Sequence, residues 1–376
     1  MRILFSINHP SQYHMFRHLA KHLVAEGNKV IFFIQARGII EELVRFDKLE
    51  FRYSSSKSLR KLFKGKYGIV IRGIISLIQQ EIRILTYCLM HKVDFLMGTD
   101  IAISHTGYIL KKPVFVFTDD DYVFTKPYCN MAYPYANFII APEVTDVHNW
   151  KHKKIAYLGT QKSAYLHPKY FKPDVSVLEK YNLQGTKFFL IRLVNYDALH
   201  DTLHNASSGL NNTILDRLIP ILKHYGKVLI SFENERDDRF KQYSLNIEHI
   251  DIHSLIYYAD IFIGDSQSMH IEAALLGTPS IRSNKWVTSK DRVNVIDYVE
   301  KKCPFNISIP LNDKDSLIKK VQYFLESDSK QKAQFYSKQF FEENTNLTDF
   351  MYWILSEYPN SCAEYKINPN IINKFH

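Results

Sequence analysis

Three loops in this chain collect residue types that could do chemistry. The first is Gly264-Asp-Ser-Gln-Ser-Met269, which runs on to Glu272. Its apolar lead-in, Ile261-Phe-Ile, reads as a buried strand, and the segment from Gln267 reads as a helix that leaves through Gly277-Thr-Pro279. The start of a helix offers backbone N–H groups without intrahelical partners and the positive end of the helix dipole, a natural fit for phosphate. Glu272, near the start of that helix, is placed to accept hydrogen bonds from ribose hydroxyls. A phosphate and a ribose together suggest a nucleotide, and in particular a nucleotide-sugar. The plain alternative is an ordinary strand–helix join in which Ser266 caps the helix.

The second loop is Thr118-Asp-Asp-Asp-Tyr122, which follows the apolar strand Val114 to Phe117. Carboxylates crowded at a strand end are costly unless they are solvated, metal-bound or positioned for proton transfer. Asp119 and Asp121 are therefore candidate acid–base residues, with a solvated loop as the alternative. Asp100, in Gly98-Thr-Asp100, is another strand-end acid. The third loop follows the strand Phe188 to Arg192 and gathers Arg192, Asn195, His200 and Asp201. A cation and hydrogen-bond donors in that place suit a diphosphate, although Arg192 would equally suit an ion pair within the sheet. Ser231-Phe-Glu-Asn-Glu235 ends the next strand and suits the same cleft.

Alternating elements must position these loops. Arg2 to Ile7, Val30 to Ile34, Phe95 to Gly98, Val114 to Phe117 and Phe138 to Ile140 read as strands, with a helix through His18 and Leu23 that ends at Glu26-Gly27-Asn28, and helices over Gly38 to Phe46 and roughly Leu59 to His91. A second series begins at Phe188 and continues with a helix at Thr213 to His224, a strand at Lys227 to Ser231, a helix at His253 to Tyr258 and strands at Ile261 and Ile281. Continuous β-branched and aromatic strands separated by helices imply parallel sheets covered on both faces. The expected fold is α/β, with two Rossmann-like, doubly wound domains facing across a cleft, and ligands bound beyond the carboxyl ends of the strands. The boundaries read as residues 1–150 for an N-terminal acceptor or catalytic domain, 151–173 for a connection within the His-, Lys-, Tyr- and Pro-rich stretch Glu143 to Pro173, 174–330 for a nucleotide-binding domain and 331–376 for a helical tail. Leu317, Val321 and Phe324 keep helical spacing ahead of that tail, and nothing after Pro359 shows a clear pattern.

The composition narrows the class. At 376 residues, 46% apolar and 23% charged, the chain is long enough for two cores and has the balance of a globular protein. Four scattered cysteines give neither a zinc pattern nor a disulfide framework. The N-terminus enters a strand directly, with no signal-peptide pattern, so a cytoplasmic location is the expectation. The net charge of +9 draws on Lys57, Arg60, Lys61, Lys64, Lys66 and Arg72. With no nucleic-acid-binding motif present, nucleic acid is not an expected partner. The region Leu59 to His91 adds Ile69, Ile71, Ile74, Ile75, Ile78, Ile82 and Leu85 to this basic stretch, a combination suited to peripheral contact with an anionic membrane at its inner face. A core-packed helix with a polar outer face is the commoner arrangement.

Several motifs occurring in order resemble the bacterial and archaeal family called domain of unknown function 354. They are Ala164-Tyr-Leu-His-Pro168 with Phe171-Lys-Pro-Asp174, Ile191-Arg192 with Ala198-Leu-His-Asp201, and Ile252 to Asp260 running into Gly264 to Met269 and Glu272 to Pro279. The family is related in fold to glycosyltransferases of GT-B type and to non-hydrolysing UDP-N-acetylglucosamine 2-epimerases. The resemblance puts Ser266 at the epimerases' phosphate-contacting serine and Glu272 at their ribose-contacting glutamate. Gln267 and Ser268 replace two glycines, so side chains there would join the backbone in binding. His14, in Asn8-His-Pro-Ser-Gln-Tyr-His14, matches a histidine that lies near the acceptor in related transferases and could serve as base; packing in the first helical turn is the alternative, and His9 is left open. Asp100 lies in a segment resembling the epimerases' Gly-Asp-Thr with two residues exchanged. His253 lies where related folds place a base-contacting loop, with helix capping as its alternative.

The resemblance and the residues together imply a metal-independent transferase that needs no cofactor. It would move a sugar from a nucleotide-sugar donor, with UDP the expected nucleotide, to a surface-polysaccharide or lipid-linked acceptor. The competing expectations are a UDP-N-acetylglucosamine 2-epimerase or UDP-sugar hydrolase using Asp100, Asp119 and Asp121, and a non-catalytic nucleotide-sugar-binding protein.

Overall fold

The computed structural model describes residues 1–35, 38–55, 65–193, 209–232, 238–288 and 293–376, without the side chains of residues 65–67 and 69. The chain divides into two compact units, Met1–Tyr165 with Asn344–His376, and Leu166–Glu343.

The first unit is built on β1 (Arg2–Ile7), α1 (Pro10–Ala25), β2 (Lys29–Ile34), α2 (Gly38–Phe46), β3 (Phe51–Tyr53), α3 (Gly65–His91), β4 (Phe95–Gly98), α4 (Ile101–Leu110), β5 (Val114–Phe117), α5 (Tyr122–Ala132), β6 (Phe138–Pro142) and β7 (Lys154–Tyr157). All pairings are parallel, in the order β3-β2-β1-β4-β5-β6-β7. The strands are apolar on both faces because both faces are covered. On one face Leu4, Ile31, Leu96 and Val116 pack against Ile84, Cys88 and Ile103 of the helices. On the other, Phe5 meets Phe16 and Phe32 with ring centroids 4.9 and 5.1 Å apart. Tyr13, Arg17 and Lys21 of α1 converge on Asp47, just past α2, and tie α1 to the end of that helix.

The short α6 (Ser163–Leu166) ends the first segment of the first unit, and the second unit contains α7 (Ser176–Lys180), β8 (Phe188–Leu193), α8 (Asn212–Tyr225), β9 (Lys227–Phe232), α9 (Ile252–Tyr258), β10 (Ile261–Gly264), α10 (Gln267–Leu275), β11 (Ser280–Arg282), α11 (Asn294–Lys302), β12 (Asn306–Ser308), α12 (Lys314–Glu326) and α13 (Ser329–Glu343). Its five strands are also parallel, in the order β12-β11-β10-β8-β9. Phe189, Ile191, Ile230 and Ile263 join Ile214, Leu218, Val321 and Phe324 in its core. Helices α14 (Leu347–Ser356) and α15 (Asn360–Ile367) belong to the first unit, where α14 packs on α1.

Some of the sequence's boundaries are redrawn. The stretch Glu143 to Pro173, expected to be a connection, contains β7, which pairs with β6 and ends the first sheet. Only four residues of alternating burial mark this edge strand, and the lysines at its start hide the signal. The residues past Pro359 form α15 and a short 3-10 helix. The expected tail is shared between the units, because α13 belongs to the second and α14 with α15 to the first.

Candidate functional site

In a doubly wound sheet, ligands bind beyond the strands' carboxyl ends, where the strand order reverses direction. In the first sheet the reversal lies between β1 and β4, in the second between β8 and β10. The loops bearing His9, Asp100 and Ser266 follow these strands and Arg192 lies at the end of β8, while the acid run Asp119 to Asp121 follows the adjacent β5.

In the first unit, the turn after β1 is locked by Gln12, whose Oε1 accepts the N–H groups of Asn8 at 2.7 Å and His9 at 3.0 Å. His9 caps α1 by accepting the Ser11 N–H at Nδ1, 3.3 Å away. After β4 comes Asp100, the buried cap of α4. One of its oxygens accepts the Ile103 N–H at 3.1 Å and the other accepts the Ser6 hydroxyl. Burial pushes this carboxyl above the usual range against those two donors.

A concavity of about 150 Å³ opens beyond β4 and β5. Gln12, Thr99, Phe117, Thr118, Asp119, Asp120, Thr125, Tyr128 and Gln161 line it. Asp119 Oδ2 accepts a hydrogen bond from Lys162 Nζ at 2.7 Å, with the lysine side chain only 8% exposed. Asp121 is buried and accepts the Asp146 N–H at 2.7 Å, pinning the start of α5 to the loop after β6. Asp120 stands between them. Water reaches its side chain, yet it sits in a concavity crowded by protein. Desolvation by the protein crowded around this exposed carboxyl, helped by the Asp119 and Asp121 carboxylates and opposed by Lys162, raises its pKa to about 6. Two wall hydroxyls, Tyr128 Oη and Thr99 Oγ1, are buried without a hydrogen-bond partner among the described residues. Since buried polar atoms are normally satisfied, these are the groups a polar ligand would complete. Burial also drives the Tyr128 phenol well above its ordinary value, so it stays a donor.

The candidates of the first unit therefore separate. Asp119 reaches the concavity, whereas Asp100, Asp121 and His14 are not part of its wall. His14 lies in α1, buried, with its ring 5.3 Å from that of Tyr165. The sequence offers Asp120 only as one member of the Asp119 to Asp121 run, and it does not single out Tyr128, Thr99 or Lys162. Asp120 had a signal, being inside the acid run. Lys162 had none, because 43 residues separate it from Asp119.

In the second unit, Ser266 caps α10, with Oγ accepting the Met269 N–H at 3.3 Å. That leaves the N–H groups of Gln267 and Ser268 without intrahelical acceptors, in the first turn where the dipole is positive. Ser268 Oγ is itself buried and has no hydrogen-bond partner among the described residues. Glu272 and His253 are both buried, 3.6 Å apart, so α9 delivers an imidazole to the acid on α10. Arg192, in register with Gly264, donates to Ser231 Oγ at 2.5 Å, which ties the ends of β8 and β9 together beside the turn. Asn284 donates to the Asp265 carbonyl at 2.8 Å and fixes the turn from the β11 side. Asn195 and His200 lie outside the described residues.

A buried polar network holds α10 from below. His270 lies 3.1 Å from Glu300 Oε1 through Nε2 and 2.7 Å from Ser280 Oγ through Nδ1. Arg282 Nε donates to Ser308 Oγ at 2.8 Å, and Ser308 donates in turn to Glu300. Burial works against the Glu300 carboxylate, but His270, Ser308 and Arg282 outweigh it and hold its pKa down at about 2. Among the described residues, no group of three or more His, Cys, Asp or Glu is arranged to hold a metal ion.

Two parallel, doubly wound units with candidate site residues at their switch points define the fold class of GT-B proteins. The chain belongs to the family described as protein of unknown function DUF354, whose model matches residues 1–342. Among solved structures, it is similar to a putative UDP-N-acetylglucosamine 2-epimerase from Listeria monocytogenes at 11% identity and a TM-score of 0.65, covering 96% of this chain and 97% of that one. UDP-GlcNAc 2-epimerase from Neisseria meningitidis bound to UDP-GlcNAc aligns at 15% identity and a TM-score of 0.62, over 93% and 96%. Acinetobacter baumannii MurG aligns at 13% and 0.55, over 95% and 100%. At these identities the likeness is one of fold. No curated protein sequence matches the chain.

Proposed function

We propose that this protein is a glycosyltransferase that moves a sugar from a UDP-linked donor to a hydroxyl of a glycan or lipid-linked acceptor. The observation that carries this is the concavity of the first unit. It combines an acid with a raised pKa, Asp120, with the unpartnered hydroxyls of Tyr128 and Thr99 and the amides of Gln12 and Gln161. Hydroxyls, amides and an aromatic wall suit a polyhydroxylated ligand. Asp120 takes the proton of the attacking hydroxyl, and the Asp119–Lys162 pair keeps a second charge in place beside it. Asp100 and Asp121 act as positioning residues through their buried hydrogen bonds. In the second unit, the first turn of α10 binds the diphosphate through the Gln267 and Ser268 N–H groups, and Glu272, oriented by His253, binds the ribose. Arg192 stands beside that turn and adds positive charge as the diphosphate leaves.

A thermal-shift series with UDP, other nucleotides and UDP-sugars tests the donor. The expected result is a shift with UDP close to that with UDP-sugars, and no shift with any uridine nucleotide overturns it. Epimerisation or hydrolysis is the second reading, supported by the acid-rich concavity and by the UDP-GlcNAc 2-epimerase named above. Incubation with UDP-GlcNAc alone separates the two. Release of UDP or change at the sugar without acceptor favours the second reading, and an intact donor favours transfer.

A further inference from the structure

Helix α3 carries two different faces. Ile84 and Cys88 are buried in the core of the first unit. On another side Val70, Ile71, Ile74, Ile78, Ile82, Leu89 and Met90 are exposed, from 43% at Ile71 to 68% at Met90. Ile71, Ile74, Ile78 and Ile82 recur every three to four residues and make a stripe on the 27-residue helix, with Leu89 two turns further along the same side. The neighbouring α4, joined to α3 through the His105–Glu81 contact at 2.5 Å, adds exposed Tyr108 and Ile109. Single exposed apolar residues need no explanation, but a stripe of this length on one helix marks a surface meant to be covered.

The charge pattern says by what. From Phe51 to Gln80 the sequence holds seven basic residues, Arg52, Lys57, Arg60, Lys61, Lys64, Lys66 and Arg72, and no acidic one. In the sequence this stretch runs straight into α3, with Arg72 on the helix itself, so positive charge accompanies the apolar face and favours a partner of opposite sign. An anionic bilayer satisfies both features, taking the isoleucines at the level of its headgroups and neutralising the basic residues. Among the described residues no helix is long and apolar enough to cross a membrane, so the contact would lie in the plane of the surface.

We infer that the α3 face, from Val70 to Met90, is a docking surface for an anionic lipid bilayer. This stands independently of the reaction proposed above. The test is co-sedimentation of the full chain with vesicles of phosphatidylcholine alone and of equal parts phosphatidylcholine and phosphatidylglycerol. The protein should sediment with the anionic vesicles, remain in the supernatant with the neutral ones, and be released by high salt. Ile74→Gln with Ile78→Gln should abolish most of the sedimentation while leaving the melting temperature unchanged, since both side chains are exposed. Arg72→Gln should weaken partitioning about fivefold. No sedimentation with anionic vesicles overturns the proposal, as does equal binding to neutral ones or binding indifferent to the isoleucine substitutions. A dimer in solution that falls apart on Ile74→Gln with Ile78→Gln, with no vesicle binding, assigns the face to a second copy and likewise overturns it.

Discussion

Three aspartates in a row have three different fates. Asp119 is held by Lys162, Asp121 accepts the Asp146 N–H, and Asp120 combines access to the concavity with a raised pKa. Asp120→Asn should lower kcat by roughly 10²- to 10⁴-fold, while calorimetry shows UDP affinity unchanged. A base must be ionised to act, so activity should rise with pH through about 6. Lys162 holds that pKa down, so Lys162→Met should move the rising limb to higher pH, which a pH profile of kcat/KM would detect. An unmoved limb would remove Asp120 from the reaction. The acid run was visible in the sequence, but which of three adjacent carboxylates is available was not. Chain geometry turns neighbours toward different partners, and those partners come from residues 146 and 162.

At the scale of elements, α10 does two jobs with one terminus. Its Ser266 cap and its candidate anion site share the same turn, and alanine substitution would disturb both. Glycine is a better probe, because it costs a cap only a few tenths of a kcal/mol. Ser266→Gly should leave the melting temperature nearly unchanged but weaken UDP binding severalfold if the hydroxyl touches phosphate. At the other end, Gly277 adopts φ +66° beside α13, and a Cβ there would come 2.8 Å from Gln334 Cα. Gly277→Ala should therefore destabilise by at least about 1–2 kcal/mol, seen as a lower unfolding midpoint. The network under α10 adds a pH dependence. Glu300 titrates at about 2 in the folded chain against an ordinary 4.5, so its stabilisation is complete above pH 4.5 and is lost as pH falls toward 2. That shift corresponds to roughly 3 kcal/mol. Urea unfolding across this range should show the loss in the wild type and a flatter profile in Glu300→Gln, which is also weaker at neutral pH. The helix and its glycine exit were legible from the sequence. The network was not, because His270, Arg282 and Glu300 come from three separate elements and only packing brings them together.

At the scale of the molecule, the first unit is completed by a segment from the far end of the chain. Thr348 Oγ1 donates to the Ala164 carbonyl at 2.7 Å, and Tyr365 Oη accepts the Ala156 N–H at 2.8 Å. His22 and Tyr352 meet with centroids 4.4 Å apart, where α14 covers α1. The second unit is one uninterrupted stretch. Removing residues 344–376 should therefore melt the first unit and abolish turnover while UDP binding to the second survives. Differential scanning calorimetry with and without UDP would show this. UDP at a hundredfold excess over its Kd should add about 3 kcal/mol to the stability of what it binds.

The amino-acid order by itself determined the parallel α/β class, the positions of most strands and helices, and the two turns that follow β1 and β10. Those are local signals: apolar runs long enough for a covered sheet, cap residues and a glycine exit, all legible within a dozen neighbours. Tertiary structure alone decided which acid meets the concavity, which hydroxyls are left for a ligand, and that the last helices return to cover α1. Each depends on residues far apart in the chain becoming neighbours, and burial and pairing, which set both charge and availability, exist only once they have.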